Sequence, residues 1–358
     1  MTRILMKGNE AIAEAAIRAG GIHYFAYPIT PQSEVGEYLA KRLPEVGGVF
    51  VQAESEVAVG NMLFGAASTG KRVFTSSSSP GVSLMQEAIS YMAGAQLPVV
   101  LINIMRGGPG LGGILPAQSD YFQSTKGGGH GDYRLLVLAP ASVQEAVDLT
   151  MLGFHLADKY RNPVLVIGDG MIGQMMEPVE FPDIYEEAPL PAKDWAITGA
   201  KGRKPLITKS LFLDPYALEQ NNIVIHEKYE QMKANEIRFE LYKVSDKNRI
   251  LIVSYGTMAR ICQTVIDDLE TQGISIGLLR PITLWPFPEM EIRREAAKAN
   301  IEKVLTVEMS MGQMVEDVDK AVQGKKPVEF FGRTGGIVPA PEEVREQILK
   351  LLGQGAQK

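Results

Sequence analysis

The chain has 358 residues, 45% of them hydrophobic, and a formal charge of −6 at neutral pH. That length exceeds the ~250–300 residues a single core ordinarily fills, so two domains are expected, and the lack of a basic stripe excludes nucleic acid as a partner. One cysteine, Cys262, excludes a disulfide framework, a thiolate zinc site or an iron–sulfur cluster built by this chain alone.

The opening residues, MTRILMKGNEAIAEAAIRAGG, carry no long apolar segment and no cleavage signature. No window reaches the ~18 apolar residues of a membrane span, so a cytoplasmic protein without membrane contact is expected. Strands are predicted at 23–29, 48–52, 72–76, 97–105, 134–140 and 163–168, with helices near 9–19, 31–41, 56–69, 81–94 and 142–159. Runs such as PVVLINI are continuously apolar, as in parallel strands covered on both faces. This alternation predicts a doubly wound α/β domain over 1–185. Proline- and lysine-containing sequence follows, a linker or wrapping arm over 186–245 with an amphipathic helix bearing Ile225, Tyr229, Met232 and Leu241. A second, smaller α/β domain over 246–358 begins at RILIVSYG and continues through ISIGLLRP, KVLTVE and VEFFG.

Several segments have residue types suited to chemistry. In YPITPQSEV, Thr30 precedes Pro31, a pattern for a helix N-cap followed by Pro at the first helical position. Thr30 also lies at the carboxyl end of a predicted strand, where ligands bind in open α/β sheets. In QAESEVAVGNMLFGAASTG, helical phase groups Glu56 with Val59, Gly60, Leu63 and Ala67, whereas Glu54 lies on the opposite side. A carboxyl on an apolar face is unusual: burial disfavours a bare charge, and the protonated form donates the hydrogen bond a ring nitrogen accepts. The helix N-terminus favours the ionised form instead, and a first-turn glutamate at the surface is the alternative reading.

After the strand at 97–105 comes a glycine-rich loop through residue 133. Its GGPGLGG resembles a dinucleotide turn, but Pro109 interrupts it and no helical pattern follows. Arg106, at the strand end, suits bidentate carboxylate recognition, while His130 between glycines has no assigned role. GDGM at 168–171 matches only the start of a diphosphate and magnesium motif: the asparagine expected about 25 residues later is missing, so no metal is assigned to this chain. TSSSSPG at 75–81 reads as a polar strand-to-helix turn.

Taken together, GNEAIAEAAIRAG, YPITPQSEV, QAESEVAVGNMLFGAASTG, SSSSPGVSLMQEAISYMAGAQLPVV, NIMRGGPGLGG, KGGGHGDYRLLVLAPASVQEA and RPITLWPFP resemble the alpha subunit of thiamine-diphosphate-dependent 2-oxoacid:ferredoxin oxidoreductases. The branched-chain, 2-oxoisovalerate (3-methyl-2-oxobutanoate) type is the most similar. The resemblance implies a pyrimidine-type thiamine diphosphate domain followed by a transketolase-C-terminal-like domain. It implies that Pro28 touches the aminopyrimidine, Glu56 activates the cofactor, and Thr30 and Arg106 bind the oxoacid. The implied reaction is CoA-dependent oxidative decarboxylation to acyl-CoA and carbon dioxide, with electrons passed to ferredoxin. The cofactor would be shared with a beta subunit carrying the diphosphate and Mg2+ site. The [4Fe-4S] clusters would belong to partners, among them small ferredoxin-like or gamma subunits.

Three other readings are open: the alpha subunit of a 2-oxoglutarate:ferredoxin oxidoreductase, a beta-type subunit of a lipoamide-linked 2-oxoacid dehydrogenase, and a non-catalytic nucleotide-binding regulatory subunit. Ile114 and Leu115 suit an apolar substrate side chain.

Overall fold

The strands Val99–Met105 and Pro163–Asp169 are buried at every position, as strands covered on both faces must be. In the computed structural model, which describes residues 3–182 and 189–354, they are the centre of a seven-stranded sheet. Its order is Thr283–Trp285, Leu136–Leu138, Pro163–Asp169, Val99–Met105, Val73–Ser77, His23–Ala26, Val49–Gln52. All pairs are parallel except that of Thr283–Trp285 with Leu136–Leu138.

The period of two along the central strands divides the apolar side chains between two cores. Val100, Ile102 and Ile104 face the helices Gly8–Arg18, Ser33–Glu45 and Val143–Tyr160, while Val99, Leu101 and Met105 face Glu56–Ser68 and Pro80–Gly94. Each such side chain, removed from water, contributes about 1.5–3 kcal/mol relative to exposure. The mixed α/β architecture with parallel sheets is the one the sequence predicts.

A five-stranded sheet follows, in the order Val328–Gly332, Lys303–Glu308, Ile250–Val253, Gly277–Pro281, Phe239–Tyr242, with only the last pair antiparallel. Leu241, expected on the amphipathic helix, belongs to Phe239–Tyr242 and is exposed. The helix itself is Pro215–Asn235, started by Asp214, whose Oδ1 accepts the Tyr216 N–H at 3.1 Å. It buries Ile225, Lys228, Tyr229 and Met232. It stops before Glu236, whose carboxylate takes hydrogen bonds from Lys159, Tyr160 and Arg238 instead of continuing the apolar stripe.

The sequence reading also lacks two strands, Ile4–Lys7 and Met176–Val179, which pair antiparallel as a separate ribbon. Ile4 and Leu5 are exposed, so no buried periodicity marks them. Among the described residues, no helix is long and apolar enough to cross a membrane.

Candidate active site

The chain winds in opposite directions from His23–Ala26 and its neighbour Val73–Ser77. The helix after the first, Ser33–Glu45, packs on one face of the sheet, and the helix after the second, Pro80–Gly94, packs on the other. Divergence of this kind opens a crevice beyond the carboxyl ends of the strands. Four segments meet at that end: residues 27–30, 53–56, 77–81 and Arg106.

Glu56 is the first residue of Glu56–Ser68 and only 5% exposed. Ser55 is the N-cap, its hydroxyl accepting the Ala58 N–H at 3.3 Å, which fixes the phase that turns Glu56 inward with Val59, Gly60, Leu63 and Ala67. No described residue donates a hydrogen bond to its carboxylate. The carboxylate lies against the backbone of Gly81: a Cβ placed there would overlap both Glu56 Oε1 and Ser77 Oγ. Ser77 and Ser78 are fully buried, and their hydroxyls have no partner among the described residues. A buried carboxylate and the unpartnered Ser77 hydroxyl around a missing side chain make a polar cradle of the kind a heterocycle rich in nitrogen can fill.

Thr30 and Pro28 are both exposed. The expected N-cap role of Thr30 is not what is found: the helix is Ser33–Glu45 and its N-cap is Gln32. Pro31 is held elsewhere, its carbonyl accepting Asn9 Nδ2 at 2.8 Å and Gln174 Nε2 at 3.2 Å. Gln32 ties the seam to the sheet, its Oε1 accepting Ser76 Oγ at 2.5 Å. The Thr30 hydroxyl is thereby left without a partner among the described residues, while its carbonyl accepts Arg106 Nη1 at 2.8 Å.

Arg106 is buried, with Nη2 donating to the Leu111 carbonyl at 3.1 Å and Nε buried without a partner among the described residues. Of its five N–H groups two are thus used, and the rest, Nε–H among them, have no partner among the described residues and can meet an anion beside Thr30. The loop beyond it folds tightly: Gly107 N donates to Leu115 O at 3.0 Å, and Gly113 N to Gly107 O at 2.8 Å. Leu111, Ile114 and Leu115 are exposed on it, at 81%, 58% and 57%.

Sequence reasoning misses Asn103, Gln118 and Asp120, which are buried around this loop. Asp120 Oδ2 accepts Ser79 Oγ at 2.6 Å and Asn103 Nδ2 at 2.9 Å. Burial pushes its carboxyl above the usual range, opposed by those two donors and by Arg106. Gln118 and Asp120 stand in a glycine-rich stretch where polar residues read as turn formers, whereas the local signal for Asn103 was its place as the polar residue in the otherwise apolar Val99–Met105.

The other candidates do not join this cradle, although Asp169 pairs with Met105 beside Arg106. His130 is exposed, and the glycines before it pack against Gln86 and Tyr133. Asp169 of GDGM caps Gly170–Gln174, its Oδ1 accepting the N–H groups of Met171 at 2.9 Å and Ile172 at 3.3 Å. A large cavity of 1310 Å³ beside Trp285 and Phe287 is lined by none of Pro28, Thr30, Glu56 or Arg106.

Comparison with known proteins is consistent with this geometry. Residues 14–243 match the family model of the thiamine diphosphate-binding domain of pyruvate flavodoxin/ferredoxin oxidoreductase, and residues 249–344 match core domain II of pyruvate:ferredoxin oxidoreductase. The ketoisovalerate oxidoreductase subunit VorB of Methanothermobacter thermautotrophicus is 48% identical over 99% of this chain and 100% of its own length. The 2-oxoglutarate synthase subunit KorA of Archaeoglobus fulgidus is 36% identical over 92% of this chain and 94% of its own.

Among solved structures, 2-oxoglutarate:ferredoxin oxidoreductase from Magnetococcus marinus, with 2-oxoglutarate, coenzyme A and succinyl-CoA bound, superposes with a TM-score of 0.85 at 25% identity. The match covers 98% of this chain but only 65% of that one. A split-gene transketolase shares the fold, with a TM-score of 0.60 at 14% identity and coverage of 98% of this chain and 99% of the other. The chain belongs to the thiamine-diphosphate-binding 2-oxoacid:ferredoxin oxidoreductase family.

Proposed function

We propose that this chain supplies one half of the catalytic centre of a multi-subunit oxidoreductase. The complex would convert 3-methyl-2-oxobutanoate and coenzyme A to a branched acyl-CoA and carbon dioxide, with reduction of ferredoxin. The observation that carries the reading is the cradle of Glu56, Ser77 and Gly81 at the strand ends, next to a guanidinium whose Nε–H is among its unpartnered donors. The similarity to ketoisovalerate oxidoreductase subunits supports the substrate class.

When bound, thiamine diphosphate supplies the carbon nucleophile and electron sink that loss of carbon dioxide from a 2-oxoacid requires. In this reading Glu56 holds a proton at a ring nitrogen of the aminopyrimidine, for which a desolvated carboxyl is suited, and Pro28 packs on that ring. The free Arg106 Nε–H and the Thr30 hydroxyl bind the carboxylate and carbonyl of the oxoacid. Leu111, Ile114 and Leu115 offer an apolar rim for a branched side chain.

The remaining parts are assigned to partner subunits. Asp169 is committed to capping a helix, so the diphosphate and Mg2+ belong to a beta-type partner. Cys262 is fully buried and burial pushes its thiol up to about 12, so it is a core residue and the [4Fe-4S] clusters that lead to ferredoxin lie elsewhere. Gamma and small ferredoxin-like subunits are the candidates. A cytoplasmic site of action, and division of the chain near 185 and 246, are part of the same proposal.

The test is co-expression with partner subunits, followed by CoA-dependent reduction of a viologen dye with branched, straight-chain and acidic 2-oxoacids. The branched acid is expected to give the highest kcat/KM. Preference for 2-oxoglutarate would shift the assignment to the 2-oxoglutarate type, and dependence on lipoamide would overturn it.

A further inference from the structure

Asp120 takes no part in the functions assigned so far, yet it is only 8% exposed at the heart of the crevice loop. Its Oδ2 accepts the Ser79 hydroxyl and the Asn103 amide. Asn103 returns the contact, its Oδ1 accepting the Ser79 N–H at 2.9 Å. Ser79 Oγ in turn accepts the Arg106 backbone N–H at 3.0 Å. Strand, turn and loop are thus closed into one buried hydrogen-bonded ring. Ser79 sits at φ 21°, ψ −79°, a conformation that an L residue keeps only where its surroundings over-determine it. The turn held this way presents Ser77 and Gly81 to Glu56.

The other flank of Asp120 is anchored to the C-terminal half of the chain. Gln118 N donates to Met309 O at 2.9 Å, Gln118 Nε2 donates to Tyr255 O at 2.9 Å, and Met309 N donates to Gln118 Oε1 at 3.0 Å. Tyr121 donates to Asp317 Oδ2 at 2.7 Å, and Phe122 N to Gln313 Oε1 at 2.8 Å.

We propose that Asp120 is a positioning residue for the substrate-binding arginine. It fixes the 77–79 turn and the Arg106 backbone in one arrangement, and couples that arrangement to the anchoring of residues 118–122 on the C-terminal half. The inference rests on the site reading above. Asp120 acts through Arg106 and Ser79 rather than on substrate. Asparagine at this position keeps an acceptor for Ser79 but loses the charge that faces the guanidinium, and alanine loses both.

The experiment compares the assembled complex carrying D120A, D120N, R106A and the D120A/R106A pair. Readouts are KM for 2-oxoacid, KM for CoA, and calorimetric binding of N-isopropyl oxamate, an unreactive oxoacid analogue. D120A is expected to raise the oxoacid KM and weaken the analogue about tenfold, with the KM for CoA held within about twofold, and D120N to fall between D120A and the wild type. The double variant is expected to match R106A alone, because both substitutions remove one contact.

Equal effects of D120A on the two substrates, or additive losses in the double variant, would overturn the inference. If D120A does not assemble, D120N carries the test, and an unchanged oxoacid KM in it would also overturn the inference. Should R106A itself leave oxoacid binding unchanged, the site reading falls with it. Should R106A weaken oxoacid while D120A and D120N do not, only the role of Asp120 falls.

Discussion

At the scale of single residues, the crevice is defined by what its groups lack. Glu56 is buried without a donor, Ser77 and Ser78 without acceptors, and Arg106 Nε without an anion. Buried polar atoms are seldom left in this state unless something else satisfies them. If Glu56 holds a proton at the cofactor ring, Glu56→Gln keeps the shape and loses the exchangeable carboxyl. Turnover should fall by about 10²–10⁴-fold with assembly and melting temperature unchanged. Wild-type turnover in that variant, measured by dye reduction, would remove Glu56 from the centre. The inward phase of Glu56 is legible in the sequence, since Val59, Gly60, Leu63 and Ala67 share its face. The hold of Arg106 on the Thr30 carbonyl is not legible, because the partners lie 76 residues apart and the acceptor is backbone, which carries no residue signature.

Among elements, Pro215–Asn235 buries a lysine on its apolar face. Lys228 Nζ donates to the Arg161 carbonyl at 3.1 Å, and desolvation, aided by the Arg161 charge, lowers its pKa to about 7. The unfolded chain holds that proton up to the ordinary lysine range near ~10.4, so between about 7 and that value the unfolded state binds more protons than the folded one. Stability should therefore rise with pH across that window. Below it both states are charged, and the folded state bears the desolvation penalty in full. Lys228→Met should flatten the rise and stabilise the protein at pH 6 by about 1–3 kcal/mol, as chemical denaturation at a series of pH values will test. An unchanged profile would mean that the lysine reaches water. Elements with a strong apolar pattern were the legible ones: Val99–Met105 is apolar at every position but Asn103 because both of its faces are covered. Ile4–Lys7 was not, since a strand of four residues with Ile4 and Leu5 exposed and only Met6 buried carries no pattern. Leu241 was grouped with that helix wrongly: at 100° per residue it lies on the side opposite Met232, and it comes after Glu236, where the helix has ended.

For the whole molecule, the sequence displays two α/β cycles but not how they join. Much of the joint is borne by Gln118, fully buried, whose side chain meets the backbone of Tyr255 and Met309. Gln118→Ala would leave the buried Met309 N–H unpaired and take one of two donors from the Tyr255 carbonyl, which keeps the Ala259 N–H, at a cost of about 1–3 kcal/mol. The expected result is a denaturation curve that loses cooperativity, with early loss of signal from the 106–125 region in hydrogen exchange. A single unshifted transition would show the joint to be redundant.

The strand Thr283–Trp285 crosses from the C-terminal half to close the edge of the N-terminal sheet against Leu136–Leu138, a strand apolar at all three positions. A break in the chain near residue 246 would take that cover away with the second half. The N-terminal fragment would then present an uncapped, wholly apolar ladder of free amides and carbonyls, a template for strand addition between molecules. Split this way, the protein should yield an aggregating fragment, and a synthetic peptide spanning 281–288 supplied in trans should slow its aggregation, measured by light scattering. The two halves share a seam as well as a site, which makes the sheet edge a point of quality control for the intact chain.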